Sequence, residues 1–397
     1  MKYICKRMVQ TVSVVFSLLV LLFSIACDID NQDNQTGDFV WKKDGSGGII
    51  IAGYTGQGGA VEIPGEINGM PVRAVEDNVF AFKRLTSVII PDSVTYIGSL
   101  AFAYNNLVSV IIPDSVTSVG LGAFSNNHLI SIIIPDSATH IWNEAFWNNH
   151  LTSINIPNGV TTIGDWAFLY NQLVSVIIPD SVTSIGWYSF AGNQLANLII
   201  PNSVTSIVTA AFSNNQLVSV IIPDSVTSIE EAVFRKNKLT SVIIPDSVAS
   251  IGPHAFADNQ LTSVNIPDSV TFIGGWAFDQ NQLVSINIPD SVTFIGSAAF
   301  QENRLTSVNI PFSVTSIEVA VFNKNQLTSV TIPDSVTSIG DYAFNDNLLT
   351  TITIGANVEF EIAFGYGFEA FYEDNDKIAG IYTRPDIEST IWTWNQN

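Results

Sequence analysis

Cysteine is nearly absent: of 397 residues only Cys5 and Cys27 are cysteine, both in the first 27 positions. The body of the chain can hold no disulfide, thiolate metal cluster or cysteine nucleophile. Positive charge is also scarce, with 15 Lys plus Arg against 36 Asp plus Glu. Three of the cations, Lys2, Lys6 and Arg7, sit at the extreme N-terminus; without them the balance is 12 against 36, a net −24. Such a surface repels phosphate backbones, which excludes nucleic acid as a partner. The four histidines leave little material for acid–base or metal chemistry. Long apolar runs are missing except for Thr11–Ala26, which at 16 residues is shorter than the roughly 20 that a spanning helix needs. Behind the basic Met1–Arg7 it reads as an export signal.

The end of that run, Ser24-Ile25-Ala26-Cys27, resembles the lipobox of bacterial lipoproteins, with Ser24 where that box usually has Leu. The resemblance implies cleavage before Cys27 and a lipid on its sulfur, so that residues 1–27 are signal and the protein is membrane-anchored through Cys27. Residues 28–38 (DIDNQDNQTGD) are polar and acidic and are expected to form a solvated tether.

What is abundant is repetition. Phenylalanine returns every 22 residues at thirteen positions from Phe80 to Phe344, and leucine keeps the same step from Leu85 to Leu349. In Leu217–Phe234 (LVSVIIPDSVTSIEEAVF), Leu217, Val220 and Ile222 fit a strand with one inward face, and Pro223-Asp224-Ser225 turns the chain. Val226 and Ile229 form a second inward pair, and Val233-Phe234 falls in a short segment of helical or turn spacing. One coil of this kind buries too little apolar surface to offset the entropy of ordering it, so the coils must stack with parallel strands in register.

Written L-x-x-V-x-I-P-D-S-V-T-S-I-G-x-x-A-F-x-x-N, the repeat resembles the BspA-like, or Treponema-type, leucine-rich repeat from Val75 to about Ile354, with Asn at the last position where that family usually has Cys. The resemblance implies a curved β-rich solenoid on a bacterial surface protein, engaged in adhesion to host matrix or neighbouring cells. The expected organisation is an N-terminal β cap over 39–79, a thirteen-coil leucine-rich repeat solenoid with short helical turns over 80–354, and a C-terminal β cap over 355–397 closing as a hairpin. Ile63-Pro64 echoes the repeat but stands 27 residues before Pro91, so the first cap contains a loosened coil.

Each type of chemistry-bearing residue in the repeat has a structural role that competes with a chemical one. Asp follows the repeat proline in nine coils (Asp92 to Asp334), a column that could bridge a divalent cation; turn formation, with the Asp accepting from backbone two residues on, is the stronger reading. The asparagine column from Asn105 to Asn347 reads as an amide ladder satisfying turn backbone. His128 and His150 occupy equivalent places on adjacent coils, with no third ligand at a fixed offset, so no metal site is expected. No nucleophile elbow, phosphate loop or zinc-protease pattern occurs, and an acidic group in the C-terminal cap (Glu373, Asp374, Asp376) reads as solvated turn. The expectation is a protein without catalysis, cofactor or metal.

Binding potential lies on the skin of the coils. The outward strand residue is Ile89, Ile111, Ile133, Ile177, Ile199, Ile221 and Ile243 in the first half, interrupted by Asn155, but Asn265, Asn287, Asn309, Thr331 and Thr353 beyond. An exposed apolar stripe marks a contact surface. Near the Ala-Phe pair, consecutive coils collect Trp142, Trp147, Trp166, Tyr170, Trp187 and Tyr188, of which Trp147, Trp166, Tyr170, Trp187 and Tyr188 are candidate anchors for a protein or glycan partner. Arg235, Lys236 and Lys238 form a weaker, basic candidate. The function expected is that of an adhesin-like surface binder; the rival is an envelope or periplasmic scaffold that binds the cell's own proteins.

Overall fold

The computed structural model describes residues 34–361 and 367–395. The signal segment, its proposed lipid site Cys27 and the first six residues of the tether lie outside the described residues.

Each coil contributes a first strand, such as Ser219–Ile221, and a shorter second one, such as Ser228–Ile229. Neighbouring strands pair in parallel at an offset of one repeat, as in Val220↔Val242 and Ile251↔Ile273. The alternation puts Leu217, Val220, Ile222, Val226, Ile229 and Phe234 inside, each no more than 3% exposed. The same six positions recur coil after coil, so the core is a continuous rod of apolar columns. Its spine is phenylalanine: consecutive rings from Phe80 to Phe344 stack with centroids between 5.1 and 6.1 Å apart.

The segment around each phenylalanine, read as a short helical turn, is turn rather than helix. The residues two before and two after it adopt left-handed backbone, as Ala232 (φ 57°) and Lys236 (φ 56°) do around Phe234. Left-handed residues between right-handed ones turn alternate N–H groups toward the following coil. Ala232, Phe234 and Lys236 thus donate to the carbonyls of Pro253, Ala255 and Ala257 at 2.9–3.0 Å, a hydrogen-bonded ladder that opposes the cost of non-glycine residues at positive φ.

Asparagine ties this ladder to the strands. Asn237 Oδ1 accepts from the Leu217 N–H of the preceding coil at 3.0 Å, while its Nδ2 donates to Phe212 O and Phe234 O at 3.0 and 3.1 Å. The pattern repeats from Asn105 to Asn347, all buried. The Pro-Asp-Ser turn works differently from its sequence reading. Its closing bond runs from Val226 N–H to Pro223 O, and the serine makes the contact between coils, Ser225 Oγ donating to Val204 O. The Asp column stands exposed at all nine positions, so solvent separates its charges.

A glycine column sets how closely coils approach beside the second strand. Gly98, Gly120, Gly164, Gly186, Gly252, Gly274, Gly296 and Gly340 each follow the strand's last residue. A Cβ at Gly274 would lie 2.5 Å from Pro253 N, and one at Gly164 2.6 Å from Ile141 O. Three coils break the column with a long side chain: Trp142, Glu230 and Glu318. The second-strand ladder is interrupted at these same three coils, between Ser118–Val119 and His140–Ile141, Ser206–Ile207 and Ser228–Ile229, and Phe294–Ile295 and Ser316–Ile317. Val208, the smaller exception, leaves its pairing intact. The breaks recur every 88 residues, four coils apart.

Both ends are closed. Phe39–Lys43 and Ile49–Tyr54 pair antiparallel, and the latter continues through Met70–Val75 into the second-strand ladder. Asn34–Thr36, at the end of the stretch read as tether, adds an outer strand. Gly59–Glu62, from the loosened coil, pairs in parallel with Leu85–Ile89, and the Phe39 and Tyr54 rings cover Phe80 at 6.4 and 5.0 Å. At the other end Gly380–Thr383 pairs antiparallel with Thr351–Ile354, ending the parallel stack, and Thr393–Asn395 pairs with it in turn. The hairpin reading missed the helix Phe368–Asp374, where Phe368 and Tyr372, one turn apart, are both buried.

Replacing Asn237 with Ala leaves the Leu217 N–H without its partner and removes the amide that Phe212 O and Phe234 O accept from. Loss of about 3 kcal/mol is expected by urea denaturation, against no change for the exposed Asp224→Ala.

Candidate functional site

Parallel pairing places the outward isoleucines one above another, as at Ile111↔Ile133 and Ile221↔Ile243. All seven are exposed, from 59% at Ile89 and Ile243 to 83% at Ile177 and Ile199; Ile221 is 65% exposed. Val108, Ile130, Val174 and Val218, three residues before an outward isoleucine in their coils, are exposed as well. Strand formation does not require these residues, because Asn287 and Asn309 occupy the same position in an intact pair. The apolar character is a property of the surface and not of the fold.

The aromatic group divides. Trp147 is 3% exposed and forms, with Leu169 and Ala191, a small cluster outside the main core, against which Trp166, Tyr170 and Tyr188 pack half-buried. Trp147 is therefore corrected from anchor to filler: it sits one residue after its phenylalanine, where neighbouring coils carry side chains directed into the seam between coils. Trp166, Tyr170 and Tyr188 all hold left-handed backbone, at φ 57°, 55° and 51°. Only Trp187, 53% exposed, presents most of its ring to solvent. Tyr170 lies over Gly192, a residue the sequence reading passed over: a Cβ there would meet the ring at 2.5 Å.

A few ionisable groups pair between coils. His128 and His150 stack at 5.3 Å on the exposed side. Among the described residues no group of three or more His, Cys, Asp or Glu side chains is placed to hold a metal. Arg235, from the basic candidate, is bound to Asp258 at 3.1 Å, and Lys324 to Glu302 at 2.6 Å. Between these pairs lies Asp279, which sequence reasoning missed although it is an acid in a column held elsewhere mainly by Ala, Ser and larger apolar residues. It is 9% exposed with Oδ1 unpartnered. Burial, then the nearby Glu302 and Asp258 charges, push its carboxyl up to about 7, against a smaller opposing pull from Arg235. Open grooves cut the surface of the described residues. One, of about 520 Å³, runs beside Trp142 and His140, and one of about 260 Å³ lies between Trp147, His150 and Tyr170.

Stacked 22-residue coils with one leucine-bearing strand each define a leucine-rich repeat solenoid. The chain belongs to the BspA type leucine rich repeat family, whose model matches residues 73–194, 183–305 and 250–372. It is similar to a leucine rich cell surface protein from Faecalibacterium prausnitzii A2-165, with 26% identity over 87% of this chain and 98% of that one, TM-score 0.56. A leucine-rich repeat protein from Bacteroides ovatus ATCC 8483 shares the fold at 22% identity, 83% and 90% coverage and TM-score 0.59. So does the pneumococcal vaccine antigen PcpA, at 18% identity, 85% and 100% coverage and TM-score 0.51. No curated protein matches.

Two measurements follow from the site. Trp147→Ala is expected to cost about 3–5 kcal/mol of stability, and Trp187→Ala less than about 0.5, because only the first empties a packed space. For Asp279 the folded pKa of about 7 lies above the ordinary aspartate value of 3.8, so its contribution is complete below pH 4 and is lost as pH rises through 7. The melting temperature of Asp279→Asn relative to the parent should therefore rise between pH 4 and pH 7.5, measured by calorimetry.

Proposed function

We propose that this protein is an exported, lipid-anchored surface protein without catalytic activity, and that it captures a protein partner on the isoleucine face of its solenoid. The observation that carries this reading is the stripe itself: seven isoleucines more than half exposed on a rigid array, at positions where the later coils use Asn or Thr. A protein partner fits better than a glycan here, because burial of contiguous aliphatic surface is the main source of association energy and a sugar's hydroxyl rim gains nothing from it. Trp187, exposed on the turn side, is a separate anchor candidate. Support for surface display comes from the likeness to the Faecalibacterium cell surface protein and from the basic and apolar residues that precede Cys27 as an export signal would. Host matrix and neighbouring cells are the partners tested first; a periplasmic scaffold role is the rival.

The triple variant Ile177→Asn, Ile199→Asn, Ile221→Asn copies the later coils and should fold with an unchanged melting temperature. Capture of matrix proteins or of neighbouring cells should fall at least tenfold; unchanged capture removes the face from the interface. Protease shaving of intact cells should release the body of the chain, whereas protection places it inside the envelope.

A further inference from the structure

The three interruptions of the second-strand ladder are not equivalent. At each paired step two backbone bonds flank the strand pair, such as Thr117 N–H to Thr95 O and Gly120 N–H to Ile97 O at 3.0 and 2.7 Å. At all three breaks neither exists; at the first, Thr139 N–H and Trp142 N–H make no bond to Thr117 O and Val119 O of the coil before, and the breaks differ only in the side chain that replaces glycine. A tryptophan stands where eight coils carry glycine, and no backbone pairing joins its coil to the one before. At the other two breaks that side chain is a carboxylate folded back on its own strand, Glu230 accepting from Ser228 Oγ at 2.6 Å and Glu318 from Ser316 Oγ at 3.0 Å.

We propose that the first break is a binding site for a neutral saccharide. The groove there measures about 520 Å³, within the range of small-molecule sites, and is lined by Leu121, Thr139, His140, Trp142, Asn143 and Thr161 among others. No lining residue carries a formal charge, although the chain as a whole has a net charge of −21. Trp142 is 4% exposed and its indole N–H has no acceptor, a buried donor that a ligand oxygen would satisfy. The rim adds hydroxyls from Thr139 and Thr161, the His140 imidazole set edge-on to Trp142 at 5.7 Å, and the Asn143 amide. Groups that donate and groups that accept are mixed at short range, which suits a molecule whose hydroxyls do both. An extended peptide is the poorer fit, because a strand of two residues offers it little backbone to pair with. The site is independent of the isoleucine face, which belongs to the other strand of the coil.

The test probes the full chain with an array of neutral oligosaccharides, followed by calorimetric titration with the strongest of lactose, cellobiose, maltotriose, mannobiose and N,N′-diacetylchitobiose. Saturable binding to at least one is expected. Trp142→Phe keeps an aromatic ring but removes the N–H and should weaken it at least tenfold. Trp142→Gly restores the column, lets the two coils pair, and should abolish binding with an equal or higher melting temperature. The proposal is overturned if no neutral saccharide binds, if only charged sugars or peptides do, or if Trp142→Phe binds as tightly as the parent.

Discussion

The contact of one coil with the next is the constraint on which the molecule depends. A coil has no hydrophobic interior of its own; the interior exists only between coils, as columns of Leu, Val, Ile and Phe that continue from one cap to the other. Contact at that distance demands that every polar backbone group near the seam find its partner across it. Four devices meet the demand: the parallel strands, the ladder of left-handed turns, the serine bridge and the asparagine amide. The last is the most economical, since one side chain serves a donor in the preceding coil and acceptors in both. The glycine column belongs to the same logic in reverse, supplying a place where nothing protrudes.

Because the seams are so fully specified, variation is confined to positions that face solvent or to the rare seam position that is broken. The isoleucine stripe is variation of the first kind: Ile in the early coils and Asn in the later ones serve the strand equally, and the difference is felt only by whatever touches the surface. Trp142, Glu230 and Glu318 are of the second kind. They interrupt a ladder at regular intervals, and each interruption separates short blocks of paired strands along one side of the stack. The tryptophan break and the isoleucine face therefore offer two chemistries on two sides of one rod, one polar and concave, the other apolar and exposed.

Much of this was legible in the residues. Strict spacing at Phe80 to Phe344 announces the stack, and the asparagine column announces its own role, because an amide repeated at a turn has few uses other than pairing backbone. The aromatic candidates were less legible. Trp147 and Trp187 look alike in sequence, but one falls a residue after the phenylalanine column and packs in the seam, while the other directly follows a glycine of the column and projects outward. Periodicity of 22 says that equivalent residues align; it does not say which way a left-handed residue points its side chain. The helix at Phe368–Asp374 escaped for a similar reason, as seven residues beside glycine-rich, alternating sequence give too short a period to read.

The sequence by itself determined the register, the identity of the inward columns and the poverty of catalytic material, since these follow from spacing and composition alone. Only the tertiary structure decided which surface residues are buried, that the acid at position 279 is buried with its Oδ1 unpartnered, and that three departures from glycine interrupt the ladder. Those outcomes turn on distances of a few tenths of an ångström between backbones far apart in the chain, and no linear pattern encodes a distance until the coils have been stacked.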